Sequence, residues 1–228
     1  MNSRSYQFGP RWQGVRANML LFASYISPVA KTAVDIGSNE GVITCCLDRL
    51  GLQATGFEQN KKYNDRARQL NGKLGGTTIF KNQLFTEDDV KTIKKIDVVS
   101  MLSVHHQIVD GIGIDKANTL LRSLADSTQH QIFFQPACIS AKYKTQMPFK
   151  DNDYAAVVEY FRPIFADAGF IHLNVIGFSQ NDMPKWEPFR PMLLLGREPS
   201  SLVTGDAVIE PLKAIESAVS SLRRRWPF

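Results

Sequence analysis

The chain has 228 residues, 43% of them hydrophobic and 21% charged, with a net charge of +5. Those figures exclude a disordered or fibrous chain and leave room for one large core with appendages. The mild basicity gathers partly in the final arginine run and marks no nucleic-acid surface, while three cysteines, Cys45 and Cys46 adjacent and Cys138 remote, form neither a disulfide framework nor a zinc pattern.

No metal site is therefore expected, and a reducing cytoplasm fits the cysteine usage. In chain order, "MLLFASYISPVA" is too short to span a membrane and reads as a helix packed on a sheet. "TAVDIGSNEG", residues 32–41, then runs from the apolar positions Val34 and Ile36 into a glycine turn, and "GVITCCLDRLG" continues as a helix stopped near Gly51. Strand, tight turn and helix follow one another. A helix start behind such a turn offers N–H groups that suit a phosphate or the carboxylate of a small ligand, and the turn alone does not choose between them. It lacks the Lys-Ser/Thr ending of a phosphate-cradling loop and the G-x-G-x-x-G spacing of dinucleotide folds.

"LQATGFEQN" is a second strand ending in Glu58, about twenty residues beyond Gly37, where an acid reaches ribose hydroxyls in nucleoside sites. An exposed helix over "NKKYNDRARQLNGKLGG", a third strand in "TTIFKN" and a short helix in "TEDDVKTIKK" with Thr86 as N-cap come next. "IDVVSML" is a fourth strand ended by the polar "SVHHQ", and "IDKANTLLRSLAD" is an amphipathic helix. "QIFFQ" is a fifth strand with a long polar loop after it to about Asp153. The helix in "YAAVVEYFRPIFADAGF" should kink or restart at Pro163. "IHLNVIGF" and "RPMLLLGR" close the series as two strands separated by a loop with two prolines and a tryptophan. This order predicts an α/β fold: a Rossmann-like, doubly wound, mostly parallel seven-stranded sheet with an antiparallel last strand. Residues 1–200 form the domain, and 201–228 a C-terminal amphipathic helix with a basic end. In that helix Pro211 is expected in the first turn, and Leu212, Ile215, Val219 and Leu222 make a stripe for the chain's own domain, a protein partner or an inner-membrane surface.

Over residues 15–197 the pattern resembles the class I S-adenosylmethionine-dependent methyltransferases. Their first motif is similar to Asp35-Ile36-Gly37-Ser38-Asn39-Glu40-Gly41, and their ribose-binding acid to Glu58. The resemblance implies S-adenosyl-L-methionine as cofactor, with its amino-acid tail over the turn and Asp35, Gly37, Ser38, Asn39, Gly41, Glu58 and Ser103 in the cofactor site. Where many members carry an acid for the adenine amino group, Asn82 and Gln83 stand here, and an amide oxygen accepts the same bond. A narrower stretch, "VVSMLSVHHQIVDGIGIDKANTLLRSLADSTQ" with the later "RPMLLL", resembles the methyltransferase domain of the kinase-methyltransferases that cap O-antigen polymannose chains.

That likeness implies O-methyl transfer to a glycan hydroxyl or a glycan phosphate in cell-surface polysaccharide synthesis, with His105 and His106 as catalytic candidates. A histidine takes the proton of a hydroxyl acceptor, or holds an already ionised phosphate as a donor. Lys142, Tyr143, Lys144 and Lys150 suit an anionic acceptor or plain solvation, and Trp186 and Arg190 either wall the acceptor pocket or cap the sheet edge. Two further readings stay open: methylation of a small molecule or RNA, and a cofactor-binding partner subunit without transfer.

Overall fold

The computed structural model describes residues 7, 11–93, 95–143, 147–183, 187–202 and 206–223. Seven strands form one mixed sheet flanked by helices, in the order β3-β2-β1-β4-β5-β7-β6. The pairs β1–β2, β2–β3 and β4–β5 are parallel and β7 runs antiparallel to β5 and β6, in keeping with the mostly parallel sheet expected from the element order. The chain divides into two compact units, residues 1–85 with 201–228 and residues 86–200.

The first unit holds α1 (Trp12–Tyr25), β1 (Thr32–Ile36), α2 (Val42–Arg49), β2 (Gln53–Phe57), α3 (Lys61–Leu74), β3 (Ile79–Lys81) and α8 (Asp206–Arg223). Its three strands are parallel, with Ile36 opposite Phe57 and Phe57 opposite Lys81, so all three end together. Local chemistry sets the helix ends. The Asn60 side chain accepts the N–H groups of Lys62 and Tyr63 to start α3, and Gly75, at φ 63°, ends it. Cys45 and Cys46 are buried on α2, and burial pushes the Cys46 thiol up to about 12, so it stays protonated and inert.

The C-terminal helix packs within this unit, on α1, α2 and α3. Its stripe of Leu212, Ile215, Val219 and Leu222 is buried there, Ile215 wholly so, and Arg16 donates to Glu216. Of the three surfaces the stripe was expected to serve, it meets the chain's own domain, because its apolar area is already spent. Pro211 lies inside the helix, which begins at Asp206 rather than at Pro211. Arg224 and Arg225 of the basic end lie outside the described residues. Among those described, no helix is long and apolar enough to cross a membrane.

The second unit holds α4 (Glu87–Thr92), β4 (Ile96–Leu102), α5 (His105–Ile112), α6 (Ile114–Ser127), β5 (Thr128–Gln135), α7 (Tyr154–Ala166), β6 (His172–Met183) and β7 (Glu187–Gly196). Thr86 starts α4 as expected, with Asp89 accepting its N–H and its hydroxyl, each at 2.9 Å. Buried Phe133, Phe134, Phe161, Phe165 and Leu193–Leu195 form its core.

Three expectations change here. The histidines do not sit in a polar loop but open a separate helix, α5, which Gly113, at φ 84°, divides from α6. Helix α7 runs through Pro163 without a break, since the missing N–H costs a single bond near its last turn. The segment expected as a loop before "RPMLLL" is largely strand. β6 and β7 pair from His172 with Gly196 out to Met183 with Glu187, while the register with β5 ends at Leu193. Pro191 is tolerated because it lies past that point, where it removes no bond to β5.

Candidate functional site

The ends of β1, β2 and β3 carry most of the expected cofactor residues, all in the first unit. After Ile36 the chain turns through Gly37 (φ 72°), Asn39 (φ 52°) and Gly41 (φ 79°), a run of left-handed residues that explains the glycines. A Cβ at Gly41 would lie 2.6 Å from the Ala67 Cβ and 2.9 Å from the Phe80 ring, so the turn also needs that glycine for packing. Asp35 faces inward and accepts the Thr44 hydroxyl at 2.7 Å, tying β1 to α2. Ser38 faces inward as well, and its Oγ would stand 2.9 Å from a Cβ at Gly56. Asp35 thus holds the turn from behind, whereas the buried Ser38 hydroxyl makes no hydrogen bond.

The turn itself presents no open donors, whereas the start of α2 leaves the N–H groups of Ile43 and Thr44 without an acceptor. The N–H groups of Gly37 and Ser38 both donate to the Phe57 carbonyl at 2.9 Å, and Gly41 donates to Ser38. Asn39 donates to Glu58 Oε2 at 3.0 Å, Glu40 to Asn39 Oδ1 at 2.9 Å, and Val42 to Gln7 Oε1 at 3.2 Å. A ligand tail here meets a shaped turn, followed by two open N–H groups at the helix start.

Glu58 follows β2, and its carboxylate accepts the N–H groups of Asn39 and of Asn60, the latter at 2.7 Å. A carboxylate has about four lone-pair positions, so two remain for ribose hydroxyls. Asn82, after β3, donates from Nδ2 to the carbonyls of Glu58 and Gln59 at 2.9 and 3.0 Å. That fixes the amide and leaves Oδ1 to accept from an adenine amino group. Gln83 is exposed beside it. A carboxylate and an oriented amide oxygen on neighbouring strand ends are acceptors matched to the hydroxyl and amino donors of a nucleoside, so these residues fit S-adenosylmethionine. Replacing Glu58 by Ala is expected to weaken its binding by about 1–3 kcal/mol, read by calorimetry on the folded variant.

In the second unit, Ser103 follows β4 in a left-handed conformation (φ 59°), strained for a residue with a side chain. Gln135, at the end of β5, holds it there: Ser103 N–H donates to the Gln135 carbonyl at 2.9 Å and its hydroxyl to Gln135 Oε1 at 2.8 Å. Gln135 Nε2 donates in turn to Ser179 Oγ at 2.8 Å. Gln135 carries no local motif, and sequence reading missed it.

His105 and His106 open α5 and are not equivalent. His105 is 1% exposed and boxed by the rings of Phe134, Tyr143 and Phe161, with centroids 5.8, 5.8 and 5.2 Å away. Burial pushes its pKa down to about 3; repulsion from His106 adds to this and Asn118 opposes it. A base that weak takes no proton near neutrality. His106 lies against one side of Tyr143, at 6.1 Å. Tyr143 is itself a core residue, its hydroxyl donating to the Ala137 carbonyl at 3.2 Å, and not the exposed aromatic that the lysine-bearing loop suggested. Lys150 is exposed and Arg190 buried, whereas Lys144 and Trp186 lie outside the described residues.

No protein-family model and no curated protein matches the chain. Among solved structures it is similar to the bifunctional kinase-methyltransferase WbdD, with a TM-score of 0.63 and 19% identity over 88% of this chain and 48% of that one. It thus spans about half the length of that protein. It is also similar to the magnesium protoporphyrin IX methyltransferase ChlM from Synechocystis PCC 6803 with bound SAM (TM-score 0.56, 16% identity, 82% of this chain and 80% of that one). A third likeness is the N-terminal domain of EvdMO1 with SAH bound (0.51, 15%, 81% and 79%). The chain therefore has the class I S-adenosylmethionine-dependent methyltransferase fold.

Proposed function

We propose that this chain is an S-adenosylmethionine-dependent O-methyltransferase whose acceptor is a glycan hydroxyl or glycan phosphate. The observation that carries methyl transfer is the pair of oriented acceptors, Glu58 and Asn82, beside a glycine turn whose own N–H groups are satisfied. When bound, the cofactor supplies a methyl group on a sulfonium, which is already activated. The chain then has little left to do beyond alignment and proton removal. Glu58 accepts from the ribose, Asn82 Oδ1 from the adenine amino group, and Asp35 holds the turn from behind through Thr44. The glycan acceptor rests on the stretch from Val98 to Gln129 that resembles the polymannose-capping enzymes, together with the fold likeness to WbdD.

Within that reading His106 contacts the acceptor and His105 sets its position. The aromatic box keeps His105 neutral and unable to serve as base, which leaves His106 to take a hydroxyl proton as the methyl group arrives. His106→Ala is expected to reduce transfer on the order of 10²-fold or more, with cofactor affinity nearly unchanged. With a hydroxyl acceptor the chemical step falls as pH drops and His106 takes up a proton; with a phosphate acceptor, affinity weakens as pH rises and that proton is lost.

Small-molecule methylation is the second reading, favoured by one observation: the likeness to ChlM, a methyltransferase named for a porphyrin, spans 82% of this chain and 80% of that one. Incubating the purified chain and methyl-labelled cofactor with lipid-linked glycans, nucleotide sugars, porphyrins and bulk RNA decides between them. Label in the glycans supports the proposal; label only in another class overturns the acceptor. Label in none, with cofactor bound, points to a partner subunit without transfer.

A further inference from the structure

Glu40 stands inside the cofactor turn yet is 0% exposed. One of its carboxylate oxygens meets Arg66 of α3 at 2.5 Å, and the other accepts the backbone N–H of Gln7 at 2.6 Å. The Gln7 side chain reaches the other end of the same turn, where Oε1 accepts the N–H of Val42, first residue of α2. A single residue, 8% exposed, thus grips the turn at two points more than thirty positions away in sequence. Around the first of those points the backbone is left-handed, at Asn39 and Gly41 on either side of Glu40. Such a conformation persists only where its surroundings hold it.

The order of the strands says which part of the ligand this grip concerns. β2 lies between β3 and β1, so adenine at Asn82 and ribose at Glu58 leave the amino-acid tail directed toward the turn after β1. With the turn N–H groups engaged, recognition falls to the shape of the turn and to the start of α2, where the Ile43 and Thr44 N–H groups have no acceptor. We propose that Gln7 and Glu40 are positioning residues for the amino-acid end of the cofactor, Glu40 anchoring Gln7 and Gln7 fixing the start of α2. This rests on the cofactor reading above.

The test compares three ligands by calorimetry on the full chain: S-adenosylmethionine, S-adenosylhomocysteine and 5′-methylthioadenosine, which keeps adenine and ribose but lacks the amino-acid tail. Gln7→Ala is expected to weaken the first two about tenfold, the equivalent of one good hydrogen bond, and to leave the third within about twofold. Glu40→Gln, which keeps the side-chain shape but removes the charge facing Arg66, is expected to show the same split, with thermal unfolding run alongside to confirm folding. Glu58→Ala should weaken all three ligands. Equal loss across the three in Gln7→Ala, or no loss in any, would overturn the proposal. Failure of the unaltered chain to bind any of the three would overturn the cofactor reading and this proposal with it.

Discussion

A chain ending at Ser200 is expected not to fold. Truncation there removes Leu212, Ile215, Val219 and Leu222, all buried against α1, α2 and α3. Each fully buried aliphatic side chain contributes about 1.5–3 kcal/mol, so the four together contribute roughly 6–12 kcal/mol. A whole domain is typically stable by only about 5–15 kcal/mol. Removing the stripe also opens the partner faces on three other helices, one of which, α2, follows the cofactor turn. Circular dichroism melting of the truncated and full chains checks this, with no cooperative transition expected in the former. The milder Ile215→Ala, at a wholly buried position, is expected to cost about 2–5 kcal/mol with the fold retained. A truncated chain that melts like the full one would show α8 to be dispensable.

The protein is also expected to lose stability in mild acid because of His105. An unfolded chain carries that imidazole near its ordinary value of 6.5, whereas the folded chain holds it near 3. Protons therefore bind the unfolded state first. Stability is complete above about pH 6.5 and drains as pH falls toward 3, by roughly 1.4 kcal/mol per unit, or about 5 kcal/mol in all. Carboxylates titrate over the lower part of that range, so the useful window is about pH 6.5 to 4.5, where His105 accounts for roughly 3 kcal/mol. Urea unfolding across that window should give a shallower pH slope for His105→Leu than for the unaltered chain, whatever the offset between them at neutral pH. Parallel slopes would mean that the aromatic box does not hold the imidazole neutral.

The core pattern was readable because strand and helix alternate with clear punctuation. Val34 and Ile36 before Gly37, Asn60 before a polar helix and Thr86 before three acids each mark a boundary by local chemistry that the structure repeats. The antiparallel last strand followed from two strands in succession at the end. Local signals gave less where the structure is set by distant contacts. Nothing near Gln7 announces that it grips residues 40 and 42, and nothing in "SVHHQ" tells the boxed histidine from its neighbour, because Phe134, Tyr143 and Phe161 come from three later segments. The β6–β7 ribbon was cut short on paper by its prolines, whose cost depends on whether a third strand lies alongside. The C-terminal stripe was visible as a stripe, but only the packing of α8 says what it meets.

The most direct test of the central claim is equilibrium binding of S-adenosylhomocysteine to the purified full chain by calorimetry. One site per chain with a dissociation constant in the micromolar range, about 8 kcal/mol, is the predicted result. Absence of saturable binding at millimolar ligand, with the protein folded by circular dichroism, would contradict the assignment of a cofactor site to the ends of β1, β2 and β3.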